Sequence, residues 1–309
     1  MRLRLATRAS ELAVWQAERV ASLLRAAHPA LEVALVAVST TGDRRPEVPV
    51  WEMGGRGVFV ADVQAQVLEG RADAAVHSAK DLQPLTAPGL VLAALPERAD
   101  RRDVLVGSRL ADLAPGALVA TGSQRRRAQL AHLRPDLDFT GLRGNIGTRL
   151  GKVPPGGAVL VAAAALQRLG LQPSPSETLA EEVMLPQVGQ GAIAVECRGD
   201  DRTTRSLLEA VDDAVVRAEV EAERAFLATI GGGCDLPVAG SAVLGPAGSL
   251  VMTGLLAATD GRELVRRWEE GGQSEAAALG GRVARSVLDG GGRALLAGGG
   301  PVRPSGEPR

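Results

Sequence analysis

The chain of 309 residues is longer than one ordinary hydrophobic core supports and points to two or three domains. Hydrophobic residues make up 45% and charged residues 23% of it, and the formal net charge is -1, so nothing global points to nucleic acid and any local cluster of arginines becomes informative. Two cysteines make no disulfide framework, no apolar run reaches spanning length, the start shows no apolar leader, and the absence of Tyr beside three Phe and three Trp excludes base-stacking platforms, so a soluble cytoplasmic protein without membrane or nucleic-acid partners is expected.

Leu3 to Ala6 reads as a strand. Ser10 then caps a predicted helix over Glu11 to Ala27, with Leu12, Trp15, Val20, Leu23 and Leu24 at helical spacing and Pro29 as the stop. Leu31 to Val38 follows as a second strand, which makes a strand-helix-strand unit with parallel pairing and a right-handed crossover. Arg8 and Ser10 fall at the carboxyl end of the first strand, where α/β proteins bind ligands, although a cap beside a solvated Arg is the plain reading.

A polar, proline-containing stretch after Asp43 reads as mobile and leads to Gly54-Gly55-Arg56-Gly57, where glycine amides and a guanidinium can face one anion. A helix is predicted from about Val58 to Glu69. Asp73 to Val76 is a strand ending in His77-Ser78-Ala79-Lys80-Asp81-Leu82. A Ser-His nucleophile is disfavoured there, because sequence neighbours seldom supply that geometry, whereas Asp81 beside Lys80 suits binding or proton transfer.

From Pro96 to Asp103 the chain turns charged and a second unit begins, with a strand over Ala117 to Ala120 and a helix to about Leu133. With Ser123 as N-cap, Arg125, Arg126 and Arg127 occupy the first helical turn, where the macrodipole disfavours cations, so the run calls for an anion or else forms a solvated basic face. The pattern repeats in the strand Asp138 to Leu142, followed by Arg143, a possible Asn145 cap and Arg149, and again in the strand Ala158 to Ala162, with Arg168 ending the next helix. Each candidate arginine stands near a strand-helix junction, which suits a ligand with several carboxylates or phosphates.

Gly189-Gln190-Gly191 opens an apolar strand through Cys197, read as a hinge returning the chain to the first domain, with Cys197 buried and inert. A helix over Asp213 to Ile230 runs into Gly231-Gly232-Gly233-Cys234, where glycines leave room beside a presented thiol, unless Cys234 merely fills a turn. Strands over Ala239 to Leu244, Leu250 to Ala257 and Glu263 to Glu269 and a helix over Ser274 to Leu288 complete a small α+β unit, and Gly290 to Arg309 is predicted to be disordered.

ATRASELAVWQA from Ala6, AAVHSAKDL from Ala74, TGSQRRRAQL from Thr121, LRGNIGTRL from Leu142, LPQVGQGAIAVECR from Leu185 and GGGCDLPV from Gly231 together resemble the porphobilinogen deaminase, or hydroxymethylbilane synthase, family. The resemblance implies an α/β fold: two doubly wound, periplasmic-binding-protein-like domains around a cleft plus a small C-terminal α+β domain. The corresponding division is residues 1–96 with 192–210, residues 101–187, residues 213–290 and a tail of 291–309. It implies a dipyrromethane cofactor joined by a thioether to Cys234, with Lys80, Asp81, Ser123, Arg125, Arg126 and Arg149 around it. It also implies Asp81 as the catalytic carboxylate, Arg8, Ser10, Arg143, Arg149 and Arg168 as substrate contacts, no metal, and a monomer. The implied reaction condenses four porphobilinogen molecules head to tail with loss of ammonia, then releases hydroxymethylbilane by hydrolysis. Arg56 and Ala61 stand where the family commonly has Lys, and Asp235 where Gln is common, which puts one carboxylate contact and the thiol's acidity in question. The arginines alone also fit a two-lobed binding protein for a polycarboxylate.

Overall fold

The computed structural model describes residues 1–39, 60–231 and 236–298. In chain order the described strands are β1 (Arg2–Arg8), β2 (Glu32–Val38), β3 (Ala74–Ser78), β4 (Leu90–Ala94), β5 (Asp103–Val106), β6 (Leu118–Ala120) and β7 (Asp138–Thr140), then β8 (Ala158–Ala162), β9 (Ser176–Thr178), β10 (Ile193–Arg198), β11 (Val238–Leu244), β12 (Ser249–Ala257) and β13 (Leu264–Gly272). The helices are α1 (Glu11–Ala27), α2 (Ala61–Leu68), α3 (Gln124–Leu133), α4 (Ile146–Leu150), α5 (Ala163–Arg168), α6 (Arg202–Glu209), α7 (Ala214–Ile230), α8 (Ala276–Val287) and α9 (Arg293–Gly298).

These strands build two five-stranded sheets, β2-β1-β3-β10-β4 and β7-β6-β8-β5-β9, and a three-stranded sheet β11-β12-β13. The expected mixed α/β architecture is present. In the first sheet β1 runs parallel to β2 and β3, while β10 is antiparallel to β3 and β4. The second sheet repeats this plan: β6 is parallel to β7 and β8, and β5 is antiparallel to β8 and β9. Each sheet therefore takes its antiparallel strand from a chain segment that arrives from the other sheet.

Strand alternation divides the first sheet into two apolar faces. Val76, Ile193, Val195 and Cys197 pack with Leu3, Leu5 and the α1 residues Val20 and Leu24. Ala6 and Ala75 on the opposite face meet Val63 and Val67 of α2. Burying one such Leu or Val side chain contributes about 1.5–3 kcal/mol before entropy is counted. In the antiparallel third sheet, β12 pairs with both β11 and β13. Phe226 of α7 and Leu279 and Val283 of α8 bury against Met252 and Leu256 of β12.

The two passages between the large sheets lie side by side. Arg98 bridges Ala192 in antiparallel fashion, Ala99 N donates to Gly191 O at 3.0 Å, and Ile193 N donates to Glu97 O at 3.1 Å. Gly191 takes φ +87°, and a Cβ there would meet the Ala99 carbonyl, so only glycine allows these strands to approach so closely.

The structure adds elements that the sequence pattern did not reveal: β4, β5, β9 and α6. β5 and β9 are short, and β9 is polar Ser-Glu-Thr whose strand character comes from pairing with β5. The tail expected from residue 291 also needs correction. Residues 293–298 form α9, whose Leu295 and Leu296 pack against the core of the third sheet, so an apolar docking surface orders what composition alone reads as disordered. Residues 299–309 lie outside the described residues. Among the described residues no helix is long and apolar enough to cross a membrane.

Candidate active site

The carboxyl end of β3 delivers the central pair. The chain leaves the sheet in a single 3-10 turn, Ala79–Asp81, and Gln187 from the return passage donates to Lys80 O at 3.1 Å. Gly189 packs so closely beneath this turn that a Cβ would stand 2.9 Å from Lys80 N. Gln16 of α1 exchanges hydrogen bonds of 2.9 and 3.1 Å with the Ser78 hydroxyl and so anchors the end of β3. The turn is therefore held from α1 on one side and from the passage between the sheets on the other.

Lys80 Nζ donates to Gln190 Oε1 at 3.4 Å. Burial pushes the Lys80 ammonium down to about 8, with Arg126 and Arg149 acting in the same direction while Asp81 and Asp103 oppose them. Arg149 is also held below the usual guanidinium range, first by burial and then by Arg126, Arg143 and Arg8, with Asp81 opposing. These mutual effects bring Arg8, Lys80 and Asp81 of the first sheet together with Arg126, Arg143 and Arg149 of the second. Arg149 Nε donates to Gly144 O at 2.8 Å, which fixes the side chain against its own loop.

The arginine run at the start of α3 has three separate fates. The Ser123 hydroxyl caps the helix by accepting from Arg126 N at 3.4 Å, as expected. Arg125 and Arg126 are buried and share one carboxylate, Asp103, with contacts of 2.7 Å from Arg125 Nη1 and 2.7 Å from Arg126 Nη2. Their remaining contacts are carbonyls, with Arg125 Nη1 on Leu185 O and Arg126 Nη1 on Leu160 O, each at 2.8 Å. Arg127 instead lies over the Phe139 ring at 5.9 Å. Asn145 caps α4 by accepting from Thr148 N at 2.9 Å. Ser10 occupies the N-cap position of α1 without a side-chain capping bond.

Arg168 departs most from a plain anion receptor. Its guanidinium stands 5.5 Å over the Trp15 ring of α1 and donates from Nη2 to Gly191 O at 2.7 Å, so it spans both large sheets at the hinge. Burial lowers its pKa against the pull of Glu97.

Sequence reasoning missed Asp103 and Gln190. Gln190 is fully buried, accepts from Lys80, and donates to Asp103 Oδ1 at 2.9 Å and Arg101 O at 2.7 Å. The available signal for Asp103 was an ionisable residue opening the apolar run Val104 to Val106. Cys197 is buried and its thiol is pushed up to about 11 by that burial, which makes it inert as a nucleophile. Cys234, Asp235, Arg56 and residues 44–55 lie outside the described residues, while Ala61 opens α2 and is exposed. α7, which leads toward Cys234, ends at Gly231 with φ +75°, a glycine C-cap that turns the chain out of the helix.

A family model described as porphobilinogen deaminase, dipyromethane cofactor binding domain, matches residues 3–206, and a second, porphobilinogen deaminase, C-terminal domain, matches residues 217–289. A porphobilinogen deaminase of Roseiflexus castenholzii is 46% identical over 301 residues, covering 96% of this chain and 99% of its own length. Another from Roseiflexus sp. is 47% identical over 297 residues, covering 94% of this chain and 97% of its own. Among solved structures, the BenM effector binding domain with its effector benzoate is similar at TM-score 0.42 and 18% identity, over 68% of this chain and 90% of that one.

Proposed function

The chain belongs to the porphobilinogen deaminase family, and we propose that the cation-lined space between its two large sheets is where its own residues run that family's reaction. It is a transferase that condenses four porphobilinogen molecules head to tail with release of ammonia, on a covalently bound dipyrromethane, and then releases hydroxymethylbilane by hydrolysis. The observation that carries the placement is the hydrogen-bonded chain from Lys80 through Gln190 and Asp103 to Arg126, which ties the Lys80–Asp81 turn to the second sheet, with Arg8, Arg143 and Arg149 coupled to the same charges. The two-lobed binding protein that the arginines alone left open is not favoured.

The donor set fits a dipyrromethane with acidic side chains. Guanidinium and ammonium groups recognise carboxylates, and Arg125 Nε is buried with no hydrogen-bond partner among the described residues, leaving a donor for an incoming acceptor. Lys80, Asp81, Ser123, Arg125, Arg126 and Arg149 would hold the group, with Cys234 as its covalent anchor. When bound, it supplies an electron-rich pyrrole carbon as the primer for chain growth.

Asp81 is half-buried at the end of its turn, and its carboxylate acts electrostatically on both Lys80 and Arg149. A carboxylate there accepts hydrogen bonds from pyrrole N-H groups and stabilises positive charge developing on a ring, while the surrounding cations retain the acetate and propionate groups. Arg8, Ser10, Arg143, Arg149 and Arg168 are assigned to substrate. For Arg168 this role requires leaving Trp15 or using its buried Nε, which has no partner among the described residues. We also assign residues 1–96 with 192–210, residues 101–187 and residues 213–290 to three domains, in keeping with the strand membership of the three sheets. A monomer in the cytoplasm completes the reading.

Intact mass of the purified chain tests the anchor. The expected result is a mass above that of the bare chain by one dipyrromethane, lost in Cys234→Ala. A bare-chain mass that persists after incubation with porphobilinogen, with Cys234 alkylating freely, overturns it.

A further inference from the structure

Arg125 and Arg126 are neighbours in the first turn of α3, 3% and 6% exposed, with the positive end of the helix dipole behind them. Two desolvated cations in that position repel each other and cannot remain charged without a counter-ion. Asp103 is that counter-ion and is itself fully buried. Its Oδ2 accepts from Arg125 Nη1 at 2.7 Å, and its Oδ1 accepts from Arg126 Nε at 3.1 Å, Arg126 Nη2 at 2.7 Å and Gln190 Nε2 at 2.9 Å.

The placement of this carboxylate goes beyond neutralisation. Asp103 is the first residue of β5, where the chain enters the second sheet, and Gln190 lies on the passage that returns to the first. Through Gln190 the same carboxylate is joined to Lys80, whose Nζ is 3.4 Å from Gln190 Oε1. One side chain thus sets Arg125 and Arg126 in register with the turn that carries Lys80 and Asp81. Burial alone would raise the Asp103 carboxyl, but Arg125 and Arg126 hold it far below the usual carboxylate range, so it stays anionic throughout the working pH range. Arg125 Nε has no partner among the described residues, and the Arg126 charge is felt at Lys80 and Arg149.

We propose that Asp103 is a positioning residue, a tethered counter-ion that holds Arg125 and Arg126 in place for the dipyrromethane carboxylates and keeps free anions off the pair. The proposal rests on the assignment of Arg125 and Arg126 to that group. With Asp103 present, the pair is already neutralised and aligned, so a solution anion gains little there, while a rigid ligand presenting several carboxylates meets donors that need no reorganisation.

The test uses full-length chain freed of cofactor, with the gain of dipyrromethane mass at Cys234 followed after adding porphobilinogen, with and without inorganic sulfate. Wild type, Asp103→Asn, Asp103→Glu and Gln190→Leu are compared, with folding checked by circular dichroism. Asp103→Asn keeps the shape and loses the charge. It is expected to slow attachment by about tenfold or more and to make it sulfate-sensitive, while wild type stays insensitive. Gln190→Leu keeps the counter-ion and is expected to slow attachment without adding sulfate sensitivity, a contrast that stands even if Asp103→Asn fails to fold. Attachment by folded Asp103→Asn at the wild-type rate, slowing with unchanged sulfate response, or sulfate sensitivity in Gln190→Leu equal to an anion-exposed pair overturns the proposal. If Arg125→Gln attaches the group as wild type does, the underlying assignment of the arginines fails instead.

Discussion

Glu223→Ala tests what holds the third sheet to the hinge. Glu223 is fully buried on α7 and gathers donors from three other parts of the chain. Its Oε1 stands 2.8 Å from Arg98 Nη1 and accepts from Ala242 N of β11 at 2.8 Å. Its Oε2 accepts from Arg98 Nη2 at 3.2 Å and from Gly189 N at 2.6 Å. Arg98 is buried too, and although burial pulls its pKa down, Glu223 and Glu219 more than offset this and raise it. Removing the carboxylate leaves the buried guanidinium with the Glu219 carboxylate at 3.2 Å and the Gln190 carbonyl at 3.1 Å, and orphans two backbone N-H groups. Loss of one member of a buried ion pair costs about 3–5 kcal/mol, and each unsatisfied N-H about 1–3 kcal/mol where water cannot reach it. Because Glu219 remains and water can enter the space left, the expected total is about 3–5 kcal/mol. Urea unfolding followed by circular dichroism measures it, and a double-mutant cycle with Arg98→Met should show a coupling of about 2 kcal/mol. A single-variant cost below about 1 kcal/mol, or additive effects in the cycle, would refute the view that this carboxylate joins α7, β11 and the passages.

On the role proposed for it, Asp81→Asn should fold and retain its covalent group by mass, yet lose turnover by about a hundredfold or more, because the amide cannot supply the carboxylate's electrostatic stabilisation of a transition state; unchanged bilane formation would remove Asp81 from that role. Lys80 gives a pH signature. Its pKa of about 8 in the folded chain lies below the unfolded value of about 10.4, so the unfolded chain binds more protons between those values and this group's contribution to stability rises with pH across that window. Carboxylate binding runs the other way: Lys80 becomes neutral as pH rises through about 8, and affinity for the acidic substrate, read as KM, should weaken there. Lys80→Met should lose that step, and a step that persists in it would assign the titration to another group.

Much of the fold was legible because apolar spacing reports burial directly. The first helix runs over Glu11–Ala27, its predicted span, and the apolar run Ala158–Ala162 is a fully buried strand, because both bury the faces that their patterns mark. The antiparallel entry of β5 and β10 was not legible, since strand direction depends on where the chain comes from rather than on composition. α9 was missed for a related reason: Leu295 and Leu296 carry meaning only beside a core formed by residues far earlier in the chain. At the site, three arginines set against a helix dipole signalled an anion, and the structure supplies one from within the chain. Asp103 lies 22 residues before Arg125, and no local pattern joins the two. Gln190 was hidden inside Gly189-Gln190-Gly191, where the flanking glycines drew attention to backbone shape rather than to the amide between them.

The exchange of antiparallel strands between the two large sheets explains why the hinge and the site are one region. Each sheet depends for a strand on the other's connection, so both passages must lie together, and Gly191 permits that approach. Groups on those passages then reach every component: Gln187 and Gly189 support the Lys80–Asp81 turn, Gln190 joins Lys80 to Asp103, Arg98 and Arg101 bind the glutamates of α7, and the Gly191 carbonyl accepts from Arg168. A shift of one sheet relative to the other must therefore move the Asp81 turn relative to the arginines.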